Sequence, residues 1–158
     1  MSVADAFAPD VMRSLTGLEM MRAMFAGDHP RPPFGELLGF HGGDLGPGWV
    51  VFEGRPGPQH YNPIGTVHGG YAATLLDSCM GCAVHTSLKA GIGYTTIDLN
   101  ITYLRAMTEH TGMVFARGEV ITSGRRIATA KGTLTDGSGK LIATGTTTCL
   151  VFPLADPA

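Results

Sequence analysis

Asp77 stands alone as a charge in an apolar run, with Leu75, Leu76, Cys79 and Met80 around it. A carboxylate in such company is costly unless something pairs with it or uses it. Eight residues upstream of it the chain reads His68-Gly69-Gly70. At a helix start this triplet exposes backbone N–H groups that no earlier carbonyl satisfies. Glycine lets a ligand approach them closely, and the positive end of the helix dipole favours a developing oxyanion. A lone carboxylate and a helix start with free N–H groups are parts for chemistry at a carbonyl.

Their spacing has a consequence. Eight residues of helix span about 12 Å at 1.5 Å per residue, too far for Gly69 and Asp77 of one helix to act on one carbonyl group. Two such helices packed antiparallel about a two-fold axis bring Gly69 of one subunit to Asp77 of the other. The expectation is a homodimer with shared sites, and small residues at Gly70, Ala73, Gly81 and Ala83 suit close helix contact.

The elements that must position these groups follow from periodicity. After Asp10 as N-cap, apolar residues at Val11, Leu15, Leu18, Met21, Met24 and Phe25 recur at three and four, predicting an amphipathic helix ended by Gly27 and Pro30. Phe34 to Phe40 and Trp49 to Glu53 read as short strands, with a turn through Gly42-Gly43 to Gly48. The central helix is expected from Val67 or His68 to before Gly91. Then the period changes to two. Tyr94 to Leu104, Met113 to Thr122, Arg126 to Thr135 and Leu141 to Phe152 read as strands, with hairpin turns at Ser123-Gly124 and Asp136-Gly137-Ser138-Gly139. Four consecutive strands predict an antiparallel meander, and an apolar helix before it must be wrapped by the sheet.

Asn62-Pro-Ile-Gly65-Thr-Val-His68-Gly69-Gly70, then Ala73-Thr-Leu-Leu-Asp77, resembles the signature of the hotdog-fold acyl-CoA thioesterases, in particular the phenylacetate-degradation type and its animal relatives. The likeness extends through Tyr94-Thr-Thr96-Ile-Asp98-Leu-Asn100-Ile-Thr-Tyr103-Leu and the Gly124-Arg125-Arg126 turn, covering residues 35 to 152. It implies an α+β hotdog fold: one long buried helix wrapped by a five- to six-stranded antiparallel sheet, here with an extra N-terminal helix. The boundaries expected are 1–33 for the helical extension, 34–152 for the thioesterase domain and 153–158 for a tail. It implies hydrolysis of an acyl- or aryl-CoA. The oxyanion donor falls on Gly69, the asparagine that holds thioester or water on Asn62, and the acidic base or nucleophile on Asp77 of the facing subunit. The hydroxyl that orients water falls on Thr96. By strict alternation Thr95 shares the helix-facing side with Ile97 and Leu99, so Thr95 and Thr96 stay rivals unless the strand carries a bulge. Dimers of this group commonly pair further, so a homotetramer is expected.

Other assignments are secondary. Gly70 joins the substrate-binding set, and Arg125 and Arg126, with Lys131 beyond them, suit CoA phosphates. His68 serves as an orienting group, or as acid–base partner of Asp77 in the rival reading, a hydratase or dehydratase on an acyl thioester. A non-catalytic acyl-CoA binding protein is the third reading. Phe40, Tyr61, Tyr71 and the N-terminal methionines are candidates for an acyl pocket. No cofactor is expected, CoA being part of the substrate.

Composition narrows the rest. The chain has 158 residues, a formal net charge of −2 and a 44% apolar share, with a pI near 6.3; no basic footprint points to nucleic acid. Neither a secretory leader nor a membrane span of roughly 20 apolar residues is read, and a cytoplasmic protein is expected. Cys79-Met-Gly-Cys82 lies in mid-helix among apolar neighbours, where thiols are packing groups rather than a redox pair, and a zinc site would need two more ligands where the sequence has no second CxxC or HxxxH pair.

Overall fold

A computed structural model describes residues 9–29 and 31–154. Helix α1 is Pro9–Ser14 and α2 is Gly17–Ala26. The single N-terminal helix expected from periodicity is therefore two pieces. Thr16 and Glu19 form a reciprocal capping box that starts α2 afresh, and Gly27 ends it in the left-handed region at φ 85°. Helix α3 is Pro33–Leu38, where a strand was expected; Pro33 sits at the first helical position and Gly39 closes the turn. Strand β1 then covers Phe40–Gly46 and β2 Trp49–Gly54. The Gly42–Gly46 stretch is thus strand, not turn: glycines there serve close packing and a bulge between Gly42 and Asp44.

The central helix α4 is Gly69–Thr86. Its buried residues, among them Ala72, Leu75, Leu76, Cys79, Met80 and Val84, repeat at three and four and lie against strands β2 to β6. Ala73, Thr74, Asp77 and Ser78 form a half-buried stripe on its other side. Gly81 and Ala83 do not join that stripe. Both are buried, and a Cβ on Gly81 would stand 3.1 Å from the Tyr94 ring. Strand β4 passes so close to α4 that a Cβ on Gly118 would lie 2.3 Å from the Cys79 carbonyl oxygen; only glycine fits that crossing.

Strands β3 (Ile92–Tyr103), β4 (Val114–Ser123), β5 (Ile127–Asp136) and β6 (Leu141–Pro153) complete one six-stranded sheet in the order β1-β2-β4-β5-β6-β3, every pairing antiparallel. The four-strand meander holds only for β4-β5-β6. Strand β3 lies beyond β6, at the sheet's end. Residues 104–113 between β3 and β4 are too many for a hairpin loop, and include a 3-10 turn at Glu109–Thr111.

The register of β3 against β6 slips between Thr96 and Asp98. Ile97 is the extra residue, and it points outward, 55% exposed. A bulge inverts the alternation. Tyr94 and Thr96 face the helix before it, while Ile101 packs on the core and Tyr103 reaches Gly69 after it.

Candidate active site

The start of α4 is held from several sides. The N–H of Val67 donates to the Met107 carbonyl at 2.9 Å and that of His68 to the His60 carbonyl at 2.7 Å. The His60 ring stacks on Tyr71 with centroids 4.3 Å apart. His68 is the N-cap: its Nδ1 accepts from the Gly70 N–H at 2.8 Å, and its carbonyl accepts from the Tyr71 N–H at 3.0 Å. Gly70 N–H is therefore already engaged. Gly69, half-buried, opens the helix with no earlier helical carbonyl for its own N–H, and no cap for it is found among the described residues. Tyr103 lies over it, the phenol donating to the Gly69 carbonyl at 3.0 Å.

Asn62 stands just before this start. Its Oδ1 accepts from the N–H groups of Ile64 (3.0 Å) and Thr66 (3.2 Å), and its Nδ2 donates to the Thr66 hydroxyl at 2.9 Å. The amide thus braces the loop that leads into His68.

Asp77 lies two turns further on, half-buried. The Thr96 hydroxyl donates to its Oδ1 at 2.9 Å, while Thr95, on the other side of the strand, is exposed. The bulge at Ile97 is what lets Thr96 face the helix. Carboxylate and hydroxyl together open onto a cleft of about 320 Å³ whose wall includes Cys82 and Tyr94. Desolvation pushes the Cys82 thiol up to about 12 and the Tyr94 phenol well above its ordinary range. Buried Cys79, with Sγ donating to the Leu76 carbonyl at 3.3 Å, is likewise raised by burial. These two thiols and the phenol stay protonated and neutral near pH 7.

The far side of the cleft carries more aromatic residues than the sequence pattern implies. Met24 and Phe40 line it, as do Phe25, Phe34 and Phe52, with the charged groups of Arg31 and Glu36 beside them. Tyr71 is instead buried in the core, and the Tyr61 hydroxyl accepts from the Glu109 N–H at 2.9 Å. The apolar stripe of α2 ran through Phe25, a signal for packing but not for what it packs on.

Other candidates stand elsewhere. Lys131 points from the outer face of β5, its Nζ 3.5 Å from Glu119, while neighbouring Gly132 faces Met80 and Leu76. Arg125 and Arg126 are exposed in the β4–β5 turn. That turn is tied to the C-terminal end of α4 by a 2.9 Å contact between the Ser87 and Ser123 hydroxyls. Within one chain these arginines and Gly69 are thus at opposite ends of an 18-residue helix.

Known proteins resemble this chain in sequence and in fold. The profile of the thioesterase superfamily matches residues 64–143. Human acyl-coenzyme A thioesterase 13 is 35% identical over 100 residues, covering 63% of this chain and 70% of that protein. Among solved structures, a phenylacetic acid degradation-related protein from Ralstonia eutropha superposes with a TM-score of 0.74 at 28% identity, over 82% of this chain and 97% of that one. The phenylacetic acid degradation protein PaaI from Thermus thermophilus, as a point mutant, gives 0.68 at 32% identity, over 75% and 98%.

Proposed function

We propose one reaction from one premise: this chain belongs to the thioesterase superfamily. It is a thioester hydrolase, and its substrate is an acyl-CoA. The observation that carries the reading is the Asp77 carboxylate, hydrogen-bonded by Thr96 at 2.9 Å and opening onto a largely apolar cleft.

A thioester carbonyl needs little activation. In the proposed mechanism the Gly69 N–H of one protomer receives the developing oxyanion, and Asp77 of its partner takes a proton from water as the water adds to the carbonyl carbon. The tetrahedral intermediate collapses by breaking the C–S bond, and the thiolate leaves as CoA. Direct attack by Asp77, giving a mixed anhydride that water then cleaves, uses the same parts. Thr96 orients the carboxylate in either route, and Asn62 keeps the loop before Gly69 in place. No cofactor enters this scheme.

Sharing the site between protomers is part of the proposal. Three features support it: the span of about 12 Å between Gly69 and Asp77 along one helix, the half-buried stripe Ala73-Thr74-Asp77-Ser78, and the terminal position of β3. That strand ends the sheet and carries exposed Ile97 (55%) and Tyr103 (54%), and such an edge invites pairing with a second copy. Pairing of dimers into a tetramer rests on the family resemblance alone. We place the enzyme in the cytoplasm, a reading that the free thiols of Cys79, Cys82 and Cys149 support; no helix among the described residues is long and apolar enough to cross a membrane.

The experiment is thiol release from a panel of acyl-CoAs, followed with a colorimetric thiol reagent. Release by the native protein that disappears in Asp77→Asn is the expected result. Release that survives this substitution overturns the assignment, and turnover of an enoyl-CoA without thiol release turns the reading to a hydratase.

A further inference from the structure

The cleft beside Asp77 has two walls of different origin. One is built from α4 and β3, inside the stretch that matches the family profile. The other comes from residues before that stretch: Met24 and Phe25 of α2, Phe34 of α3, Phe40 of β1 and Phe52 of β2. The aromatic rings on this second wall touch edge-on in a continuous chain. Phe25 meets Phe52 at 5.5 Å between centroids, Phe52 meets Phe40 at 5.6 Å, and Phe40 meets Phe34 at 6.3 Å, with interplanar angles of 66° to 88°. Each ring braces the next in its favoured geometry.

Two details suggest that this wall is shaped to receive something. Phe25 lies flat over Gly42, where a Cβ would stand 2.4 Å from the ring, so the β1 backbone leaves room for Phe25 to fold down into the cleft. Phe34 sits at the mouth and remains 55% exposed, although it is among the larger apolar side chains of the protein. A ring left half in water beside an apolar cleft has surface to bury against a ligand. The cleft measures about 320 Å³, at the small end of the range of about 300 to 1,000 Å³ for small-molecule pockets.

We infer that this cleft is the acyl-binding site and that Phe25 and Phe34 of the N-terminal helices set the size of acyl group it accepts, admitting compact chains and rings and turning long chains away. The inference rests on the thioesterase reading for the identity of the ligand. The wall, however, is a binding feature, and it is tested without turnover. Phe25 and Phe34 both line the cleft, and Phe34 does so from an exposed position. Replacing either ring by a smaller group lengthens the accepted chain, and enlarging Phe34 shortens it.

The test is isothermal titration calorimetry on the full chain carrying Asp77→Asn, which keeps an acceptor for Thr96 while removing the charge. Kd is measured for CoA, butyryl-CoA, octanoyl-CoA, phenylacetyl-CoA and palmitoyl-CoA. Expected are tighter binding of octanoyl- and phenylacetyl-CoA than of CoA, and no such gain for palmitoyl-CoA. Adding Phe34→Ala should move the palmitoyl-to-octanoyl Kd ratio about tenfold toward palmitoyl, and adding Phe34→Trp should move it the other way by a similar factor. Phe25→Leu, which keeps apolar volume against Gly42, should act as Phe34→Ala does. A ratio unmoved by all three, or acyl-CoAs that bind no better than CoA, overturns the inference. The thioesterase reading fails on a separate observation, the absence of Asp77-dependent thiol release by the protein with Asp77 intact.

Discussion

At the scale of single residues, Asp77 and Thr96 can be separated from their neighbours by substitution. Asp77→Asn retains an oxygen for the Thr96 hydroxyl and loses the charge, so kcat for thiol release is expected to fall roughly 10³-fold, within the range for a positioned base. Thr96→Val leaves Asp77 in place without its 2.9 Å donor. A kcat loss of about tenfold with little change in KM is expected, whereas Thr95→Val, at an exposed position, should leave both constants near native. Equal effects from the two valines would remove Thr96 from the mechanism. The exposed arginines of the β4–β5 turn are tested by substrate choice. Arg125→Ala and Arg126→Ala should raise KM for an acyl-CoA but not for an acyl thioester of N-acetylcysteamine, which lacks the phosphates.

At the scale of elements, the side chains that β3 turns toward α4 depend on one inserted residue. Deleting Ile97 leaves a regular strand in which Thr96 and Ile101 still share the face toward α4 and keep their partners on β6. Thiol release is therefore expected to fall less than in Thr96→Val, in a protein whose circular dichroism still reports the native sheet. Helix α4 is sensitive on its other side. Gly118→Ala would press a methyl group into the Cys79 carbonyl, and a loss of about 1 to 3 kcal/mol in urea unfolding is expected from such overpacking. Near its C-terminal end, His85 packs on Tyr94 at 5.4 Å, and desolvation holds its imidazole below the ordinary value of 6.5. The sign follows from linkage: the unfolded chain takes up the proton first as pH falls. The stability that His85 contributes is complete above about pH 6.5 and is lost as pH drops through its lower folded value. Melting temperature should therefore decline below that point, and less steeply in His85→Phe.

At the scale of the whole molecule, the decisive question is whether Gly69 and Asp77 serve the same carbonyl from different chains. Gly69→Pro answers it with Asp77→Asn. Proline is at home at the first helical position and removes only the N–H, although its ring needs the Tyr103 side chain to give way slightly, since a Cβ there stands 3.1 Å from it. Each variant alone should be inactive. Co-expressed, they form mixed dimers in which one of two sites holds an intact Asp77 facing an intact Gly69. Thiol release of roughly a quarter of the native rate is expected, because about half of randomly paired dimers carry one good site of two. A mixture as inactive as its components would mean that the site is not shared.

Much of this protein is legible in its sequence. The apolar stripe of α4, the His68-Gly69-Gly70 start and the turns at Ser123-Gly124 and Asp136–Gly139 are local signals, written in neighbouring residues and set by backbone geometry. The lone carboxylate of Asp77 was legible for the same reason, and the helical rise alone argued for a second chain. What depended on tertiary structure was everything set by residues far apart in the chain. The position of β3 beyond β6 is decided by which strands cover α4, not by the strand's own pattern. The choice between Thr95 and Thr96 as neighbour of Asp77 turned on a bulge whose extra residue, Ile97, looks in the sequence like any other β-branched strand residue. The aromatic wall from Phe25 to Phe34 is assembled from two short helices and two strands, one helix of which read as a strand. Periodicity says which side of an element is apolar. Only packing decides what that side meets.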